Sequence, residues 1–533
     1  MSNRVAVFDT TLRDGTQGAG ISFSTDDKVK IALRLDELGV DYVEGGWPGS
    51  NPRDLAFFTR ARALPWQHCR ITAFGSTRRP HWPPDDDPNL RMLIEAGSPA
   101  AAIFGKSWDH HVTVALRTTL DENLRMIADS VAYLKRHERE VVYDAEHFFD
   151  GYRHDAVYAL DTLRVAKEAG ADILVLCDTN GGTLPDEIRR IVEAVLARIG
   201  GPVGIHTHND CALAVANTLA AVQAGAEHVQ GTINGYGERC GNADLCAVVA
   251  NLRLKLGYEC LRPDALSRLA DVSRFVSEMA NLAPDDYQPF VGRNAFAHKG
   301  GVHVSAVMAE ASTYEHIDPT RVGNERRVVV SDLAGQANVL YKASEMGLSL
   351  DRSRPEVKEI LARVKRLEHE GYQFDGAEAS FELIVRRLLG GHRPLFDLRW
   401  FHVSVAGGEG GATRAEATVK LSVNGVEEHT AAEGNGPVHA LDRALRKALE
   451  GFYPALREIR LTDYKVRVLN ADAATAARVR VLIESSDGRR SWGTVGVSEN
   501  VVEASWLALA DSFEYGLLHH DDAKTLRAGP PSA

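Results

Sequence analysis

Two histidines separated by one residue, His206 and His208 in Gly204-Ile205-His206-Thr207-His208-Asn209-Asp210, are the pair in this sequence best suited to chemistry. Side chains alternate across a β-strand, so both imidazoles leave one face while Ile205 and Thr207 leave the other. Two neutral imidazole nitrogens make half of a shell for a divalent transition ion, which a carboxylate and an amide would complete. Those ligands must come from elsewhere in the chain. The plain alternative is a pair of surface or core-satisfied histidines, and only neighbouring motifs decide between the two.

The elements that must position such a pair are legible as a repeat. Short β-type runs at 5–8, 42–44, 71–74, 101–104, 141–143, 173–176, 203–205 and 228–230 alternate with longer helical stretches. Each gap is long enough for a right-handed crossover. Eight such units in about 230 residues imply an α/β fold, a TIM (β/α)8 barrel. A doubly wound open sheet is the rival, and the count of eight favours closure. One helix is easily read at 24–39: Ser24 caps it, Asp26 and Asp27 occupy its first turn, Ile31, Leu35 and Leu38 form its apolar stripe, and Gly39 ends it.

A barrel places its chemistry at the carboxyl ends of its strands, and ionisable residues gather there. The first strand runs into Asp9-Thr10-Thr11-Leu12-Arg13-Asp14-Gly15-Thr16-Gln17, the fifth into Asp144-Ala145-Glu146-His147, and the sixth into Asp178-Thr179-Asn180-Gly181-Gly182. The seventh carries the two histidines, and the eighth leads to Asn234-Gly235-Tyr236-Gly237-Glu238-Arg239-Cys240-Gly241-Asn242. Helix caps and turns explain some Asp, Asn and Gly. They do not explain Arg13, Asp14, Glu146 and two histidines converging on one rim.

Composition narrows the class. The chain has 533 residues, too many for one core, with 44% hydrophobic and 25% charged residues, as in an ordinary soluble protein. A net charge of −12 argues against non-specific nucleic-acid or anionic-membrane partners. No run reaches membrane-spanning length and no signal-peptide pattern follows Met1, so a cytoplasmic protein is expected. The six cysteines are scattered without metal or disulfide spacing, and free buried thiols are expected.

At the strand-end motifs the sequence resembles the family that joins the α-isopropylmalate, homocitrate and citramalate synthases to hydroxymethylglutaryl-CoA lyase. Asp9-Thr10-Thr11-Leu12-Arg13-Asp14-Gly15 is similar to its first-strand signature, His206-Thr207-His208-Asn209-Asp210 to its metal motif, and Gly237-Glu238-Arg239-Cys240-Gly241-Asn242 to its eighth-strand signature. The resemblance implies Asp14, His206 and His208 as metal ligands, with Asn242 a fourth, and Mn, Zn or Mg as the divalent ion. It implies Arg13 as the group that stabilises negative oxygen, Arg13, Asp144 and Thr179 as substrate-binding residues, and Glu146 as a proton-transfer residue. Ala297-His298-Lys299-Gly300-Gly301-Val302-His303 resembles the family's accessory-domain motif, and Tyr314 its companion tyrosine, which implies His303 and Tyr314 acting at an active site, that of a neighbouring subunit.

Within the family, the likeness is to long-type members that use pyruvate, through Gly18-Ala19-Gly20-Ile21-Ser22-Phe23-Ser24, the stretch from Glu44 to Pro52, Phe104-Gly105-Lys106-Ser107-Trp108, and the stretch from Ala145 to Tyr152. Isopropylmalate synthases usually carry glutamate where this chain has Thr16, which weighs against 2-oxoisovalerate as substrate. The implied reaction is a metal-assisted Claisen-type condensation of acetyl-CoA with pyruvate followed by thioester hydrolysis, in isoleucine biosynthesis. A wider-pocketed isopropylmalate synthase, an acyl-CoA lyase, and a non-catalytic metal- and effector-binding regulator are the rivals. The last would lack Arg13, Glu146 or a metal ligand, and none is missing.

Beyond the barrel, 263–389 reads as mainly helical, with Val357, Ile360, Leu361, Val364 and Leu367 on one helix face. From about 394 to 519 a weak internal repeat appears: alternating strands at 417–423 and 477–483, each followed by a turn, another strand and a helix. The helix stripes are Val438, Leu441, Leu445 and Leu449 in one half and Val502, Ser505, Leu509 and Phe513 in the other. Two βββα halves sharing a sheet face resemble the family's regulatory domain, implying a branched-chain amino-acid effector such as isoleucine and a homodimer. A purely structural dimerisation unit is the alternative. The glycines at 408–411 lack the context of a phosphate loop and read as a flexible connection. The expected division is a catalytic barrel at 1–265, a helical accessory region at 266–392, an α+β regulatory domain at 393–520 and a flexible tail at 521–533.

Overall fold

A computed structural model describes residues 3–262, 264–330, 334–348, 350–390, 392, 394–407, 413–470 and 477–527, with side chains to residue 520. The chain divides into two compact units, Met1–Phe296 with Ile317–Arg326, and Ala297–His316 with Arg327–Ala533.

The first unit is built on eight parallel strands: β1 (Ala6–Asp9), β2 (Tyr42–Gly46), β3 (Arg70–Ser76), β4 (Ala100–Lys106), β5 (Glu140–Glu146), β6 (Ile173–Asp178), β7 (Val203–Thr207) and β8 (His228–Gly231). They pair in sequence order, and β1 pairs back onto β8 from Ala6↔His228 to Asp9↔Gly231, closing the barrel. Helices cover its outside, and the helix Thr25–Leu38 shows why: Ser24 and Asp27 form a reciprocal capping box, and Gly39 stops the helix at φ 84°. Ile31 and Leu35 are fully buried and Leu38 nearly so.

The strands run past their apolar residues at the rim, as two of them show. β5 continues through Asp144 and Glu146, and β6 through Cys177 and Asp178. Alternation turns Val142, Asp144 and Glu146 toward the barrel axis, so the carboxylates are part of the wall rather than of a loop. Lower down, the interior is filled by Phe8, Tyr42, Ala100, Ala102, Val142, Ile173 and Val175. His228 sits among them between Phe8 and Tyr42, with neither ring nitrogen bonded among the described residues. Burial pushes its pKa down to about 3, so it is a neutral core side chain.

The second unit opens with two-residue parallel strands, β9 (Ala297–His298) and β10 (Arg327–Val328), and the helices Gly301–Ala309, Gln336–Glu345, Pro355–His369 and Glu378–Leu388. On Pro355–His369 the expected stripe is inside: Val357, Ile360 and Val364 are fully buried and Leu367 nearly so, with Leu361 partly covered.

The duplicated half then follows as β11 (Asp397–Ala406), β12 (Arg414–Val423), β13 (Val426–Gly434) and helix Pro437–Leu449, and as β14 (Arg460–Val468), β15 (Val479–Ser486), β16 (Ser491–Ser498) and helix Val501–Arg527. Each half forms its own three-stranded antiparallel sheet, which corrects the expectation of one shared face. In β12 every second residue from Ala415 to Val423 is buried against Leu441, Leu445 and Leu449. In the other half Val481 and Ile483 pack on Ala504, Ala508 and Leu509.

The last helix runs through Arg527, past the start of the expected tail. The glycine stretch 408–411 lies outside the described residues. All six cysteines are free, yet Cys211 and Cys240 are exposed, correcting the expectation that all would be buried. No helix among the described residues is long and apolar enough to cross a membrane.

Candidate active site

The mouth of the barrel is assembled from strand ends. Asp9, the last residue of β1, is fully buried and accepts from the Thr11 amide and hydroxyl, both at 2.9 Å. Thr11 in turn accepts from the Ile233 amide at 2.9 Å, which ties the loop after β1 to the loop after β8. Burial pushes the Asp9 pKa up to about 7. This staple turns Arg13 and Asp14 inward.

Arg13 is gripped from three sides. Its Nε lies 2.6 Å from Glu44 Oε2, its Nη1 lies 3.2 Å from Asp14 Oδ2, and its guanidinium rests 3.8 Å over the Phe74 ring. Glu44 is fully buried and also accepts from the Thr10 hydroxyl. Burial raises the Glu44 pKa and works against charge on Arg13, but Glu44 and Asp14 together hold the guanidinium proton more firmly than usual. The close, directed contact is that of a guanidinium on a carboxylate.

Opposite Arg13, His206 Nε2 lies 3.3 Å from His208 Nε2 and 3.5 Å from Asp14 Oδ2. Among the described residues, Asp14, His206 and His208 form the one group of three whose potential ligand atoms all fall within 4.8 Å of one another. Burial, with His208 adjacent, pushes His206 down to about 3, and burial lowers His208 as well. Burial would raise Asp14, but Arg13 and the two histidines outweigh it and hold it below the usual carboxylate range. The trio is therefore an anionic oxygen facing two neutral imidazoles.

Asp14 Oδ1, His208 Nδ1 and Asn242 Oδ1 are buried and unbonded among the described residues. The cluster fits a divalent cation, because its carboxylate and imidazoles lie within ligand distance of one another and buried oxygens of Asp14 and Asn242 are left with lone pairs that no protein proton satisfies. Gln230, on β8, orients it: its Oε1 lies 3.0 Å from His206 Nδ1 and its Nε2 donates to Asp144 Oδ1 at 3.0 Å. The proton then sits on Nδ1 and the Nε2 lone pair faces Asp14. His208 and Asn242 pair through their backbones, and the turn that leads into Asn242 needs glycine at Gly241, where φ is 87° and a Cβ would stand 2.0 Å from the Gly235 carbonyl.

A cavity of about 230 Å³ opens over this group. Of the residues singled out from sequence, Arg13, Asp14, Asp144, Glu146, Thr179, His206 and His208 line it. Thr179 accepts from the His147 amide at 2.9 Å, and its carbonyl is held by Arg239 at 2.7 Å. Burial, with Glu44 nearby, pushes Asp144 up to about 8, which favours its neutral form. Glu146 is paired with Lys106. His303 and Tyr314 belong to the second unit, where they are exposed and stack at 4.2 Å.

Sequence reasoning gave no role to Glu44, Gln230, Lys106 or the aromatic lining of Trp47, Phe74 and Phe104, although Glu44, Trp47, Phe104 and Lys106 lie in stretches that carry the family resemblance. The signal for Gln230 and Glu44 was present, since each follows by two an inward-facing residue, His228 and Tyr42.

Comparison with known proteins gives the family. Residues 4–276 match the HMGL-like family model, residues 290–372 the homocitrate synthase post-HMGL domain-like model, and residues 375–517 the LeuA allosteric (dimerisation) domain. The chain is 54% identical over 524 residues to the (R)-citramalate synthase of Aquifex aeolicus, covering 98% of this chain and 99% of that protein. It is 56% identical over 514 residues to that of Geobacter sulfurreducens, covering 96% and 97%. Identity to the probable 2-isopropylmalate synthase of Methanopyrus kandleri is 34% over 505 residues, covering 95% and 97%. With the strand-end residues in place and relatives above half identity along nearly the whole length, the chain belongs to the (R)-citramalate synthase family, built on the HMGL-like barrel.

Proposed function

We propose that this chain is an acyltransferase that joins acetyl-CoA to pyruvate and hydrolyses the thioester, releasing (R)-citramalate and free CoA. The observation that carries the reading is the buried Asp14, His206 and His208 trio beside Arg13 at the floor of the barrel-mouth cavity. A divalent ion (Mn, Zn or Mg) held by Asp14, His206 and His208, with Asn242 as a further oxygen donor, would supply Lewis acidity at the keto-acid carbonyl.

The chain's own groups account for the rest. Thr179 offers its hydroxyl to the keto-acid carboxylate, and protonated Asp144 offers a donor beside it. Arg13 is held where a guanidinium meets the negative charge that develops on oxygen as the new carbon–carbon bond forms. Two groups are proposed to take a methyl proton from acetyl-CoA: Glu146, fixed by Lys106, and the stacked His303 and Tyr314, whose motif resembles the accessory-domain histidine and tyrosine of the family.

The catalytic, accessory and regulatory segments are proposed as 1–265, 266–392 and 393–520. The LeuA match over 375–517 supports a homodimer with a branched-chain effector, isoleucine, in isoleucine biosynthesis in the cytoplasm. No nucleic acid or membrane partner is proposed, in keeping with the net charge of −12.

Release of free thiol from acetyl-CoA, with pyruvate and with 2-oxoisovalerate, tests the reading. Turnover with pyruvate, dependent on a divalent ion and giving the R product, is expected. A strong preference for 2-oxoisovalerate would overturn the substrate, and thiol release with no keto acid under any divalent ion would overturn the chemistry.

A further inference from the structure

The cavity lining falls into two arcs. The polar groups come from β1 and from β5 round to β8, whereas adjacent strands β2, β3 and β4 contribute three aromatic rings: Trp47, Phe74 and Phe104. Phe74 and Phe104 stack with centroids 5.5 Å apart and planes at 20°. Trp47 sets its ring nearly perpendicular to both, at 5.7 and 5.8 Å. A 2-keto acid whose oxygens face Asp14, Arg13 and Thr179 has its carbon substituent left to face these rings.

Trp47 is fastened at its ring and at its backbone. Its Nε1 donates to Asn89 Oδ1 at 2.7 Å, and its backbone amide donates to Asp54 Oδ2 at 2.8 Å. Asp54 is in turn paired with the buried Lys28, which also donates to the Gly45 carbonyl at 3.0 Å. Asn89 has no freedom to follow a moving indole, because its Nδ2 donates to the Ser76 carbonyl at 2.7 Å, at the end of the strand that carries Phe74. Its Oδ1 also lies over Gly75, where a Cβ would come within 2.9 Å. Asn89 therefore joins the Trp47 ring to the backbone beside Phe74, without itself lining the cavity.

We propose that Asn89 is a positioning residue for substrate selection: by holding the Trp47 indole as a fixed wall against Phe74 and Phe104, it limits this site to a 2-keto acid with a one-carbon substituent. The inference rests on the function proposed above. An unfastened indole in a half-buried position can swing and yield room for a further methylene, whereas a fastened one cannot. In an apolar pocket one methylene changes kcat/KM by about 10- to 200-fold, so the wall is large enough to decide between substrates.

The test uses the full-length chain and thiol release at saturating acetyl-CoA, with pyruvate and 2-oxobutanoate as probes, for wild type, Asn89→Ala and Trp47→Phe. Wild type is expected to prefer pyruvate by about 10-fold or more. Both variants should narrow that ratio by about 5-fold or more, through a raised KM for pyruvate and a lowered KM for 2-oxobutanoate; for Asn89→Ala, which lies outside the cavity lining, kcat on pyruvate should stay within about 3-fold of wild type. Mn2+ affinity by calorimetry should not move, because among the described residues neither side chain is bonded to Asp14, His206 or His208. Should Asn89→Ala fail to fold, Trp47→Phe decides alone, as it removes only the indole donor and part of the ring. Equal losses on both substrates, or an unchanged ratio, overturn the assignment while leaving pyruvate turnover by the wild type intact. A wild type that turns over no keto acid overturns this inference together with the function beneath it.

Discussion

The grip of Glu44 on Arg13 yields a prediction that separates charge from shape. Glu44→Gln keeps an acceptor for both Thr10 and the Arg13 Nε, now 2.6 Å from Oε2, but removes the negative charge from a fully buried side chain. Breaking a buried ion pair by altering one partner costs about 3–5 kcal/mol, and retention of the hydrogen bonds puts this case near the low end. The guanidinium, no longer balanced, leans on Asp14 at 3.2 Å and on the Phe74 face. A catalytic donor displaced by about 1 Å costs about 100-fold in rate. Thiol release by E44Q, R13Q and the double variant, alongside urea melts, gives the measurement. E44Q is expected to lose about 100-fold in kcat, and R13Q about 100- to 1,000-fold. The double variant should be no slower than R13Q, because Glu44 acts on catalysis through Arg13. A double variant slower by the product of the two single losses would falsify that route. An E44Q chain with wild-type rate and stability would mean that Glu44 is already protonated in the folded protein, and the account of how Arg13 is held would go with it.

Three further outcomes follow from the same geometry. Gln230→Met removes the oxygen at 3.0 Å from His206 Nδ1, so Mn2+ affinity by calorimetry should fall about 10- to 100-fold; unchanged affinity would show that the imidazole needs no external hold. Isoleucine should lower thiol release by the full chain and leave that of a chain cut before residue 393 untouched, and equal sensitivity in both would remove the LeuA-like region from regulation. Glu122 is held down to about 2 against its burial by Arg78, the His81 amide and Arg125, so its folded value lies below the ordinary 4.5 and the folded state binds fewer protons. Its contribution, about 3 kcal/mol, is therefore present above about pH 4.5 and lost as pH falls toward 2; the gap between wild type and E122Q in urea melts should close over that window, and a gap independent of pH would contradict the assignment.

How much of this could be read in advance depended on residue type. Asp14, Arg13, His206, His208 and Thr179 stood out because polar residues that follow an apolar strand have few other reasons to be there. Asp144 and Glu146 stood out for the same reason but were placed after their strand, whereas they are inside it. Hydrophobic periodicity stops where a barrel's inner face turns polar, so a strand end read from apolar residues is short at the working rim. The sheets of the second unit were legible as a repeat, because Ala415 to Val423 alternate cleanly. That they form two sheets depends on pairing, which alternation does not encode.

What resisted reading was every residue whose role depends on a neighbour from another strand. Trp47, Phe74 and Phe104 have the composition of core, and their place at the mouth follows only once β2, β3 and β4 lie side by side. Lys106 is a strand-end lysine without a role of its own until β5 brings Glu146 against it. Gln230 acquires a purpose only between His206 and Asp144, two strands that are distant in sequence. The division has a physical cause: a ligand or an acid announces itself by its own chemistry, whereas a group that orients it is any side chain of suitable shape that closure happens to bring within 3 Å. On the role proposed for Asn89, substrate choice is carried by the second kind, so relatives that share Asp14, His206 and His208 are expected to differ in substrate at positions such as Trp47 and Asn89, and it is there, rather than at His206 or His208, that selectivity should be alterable without losing the reaction.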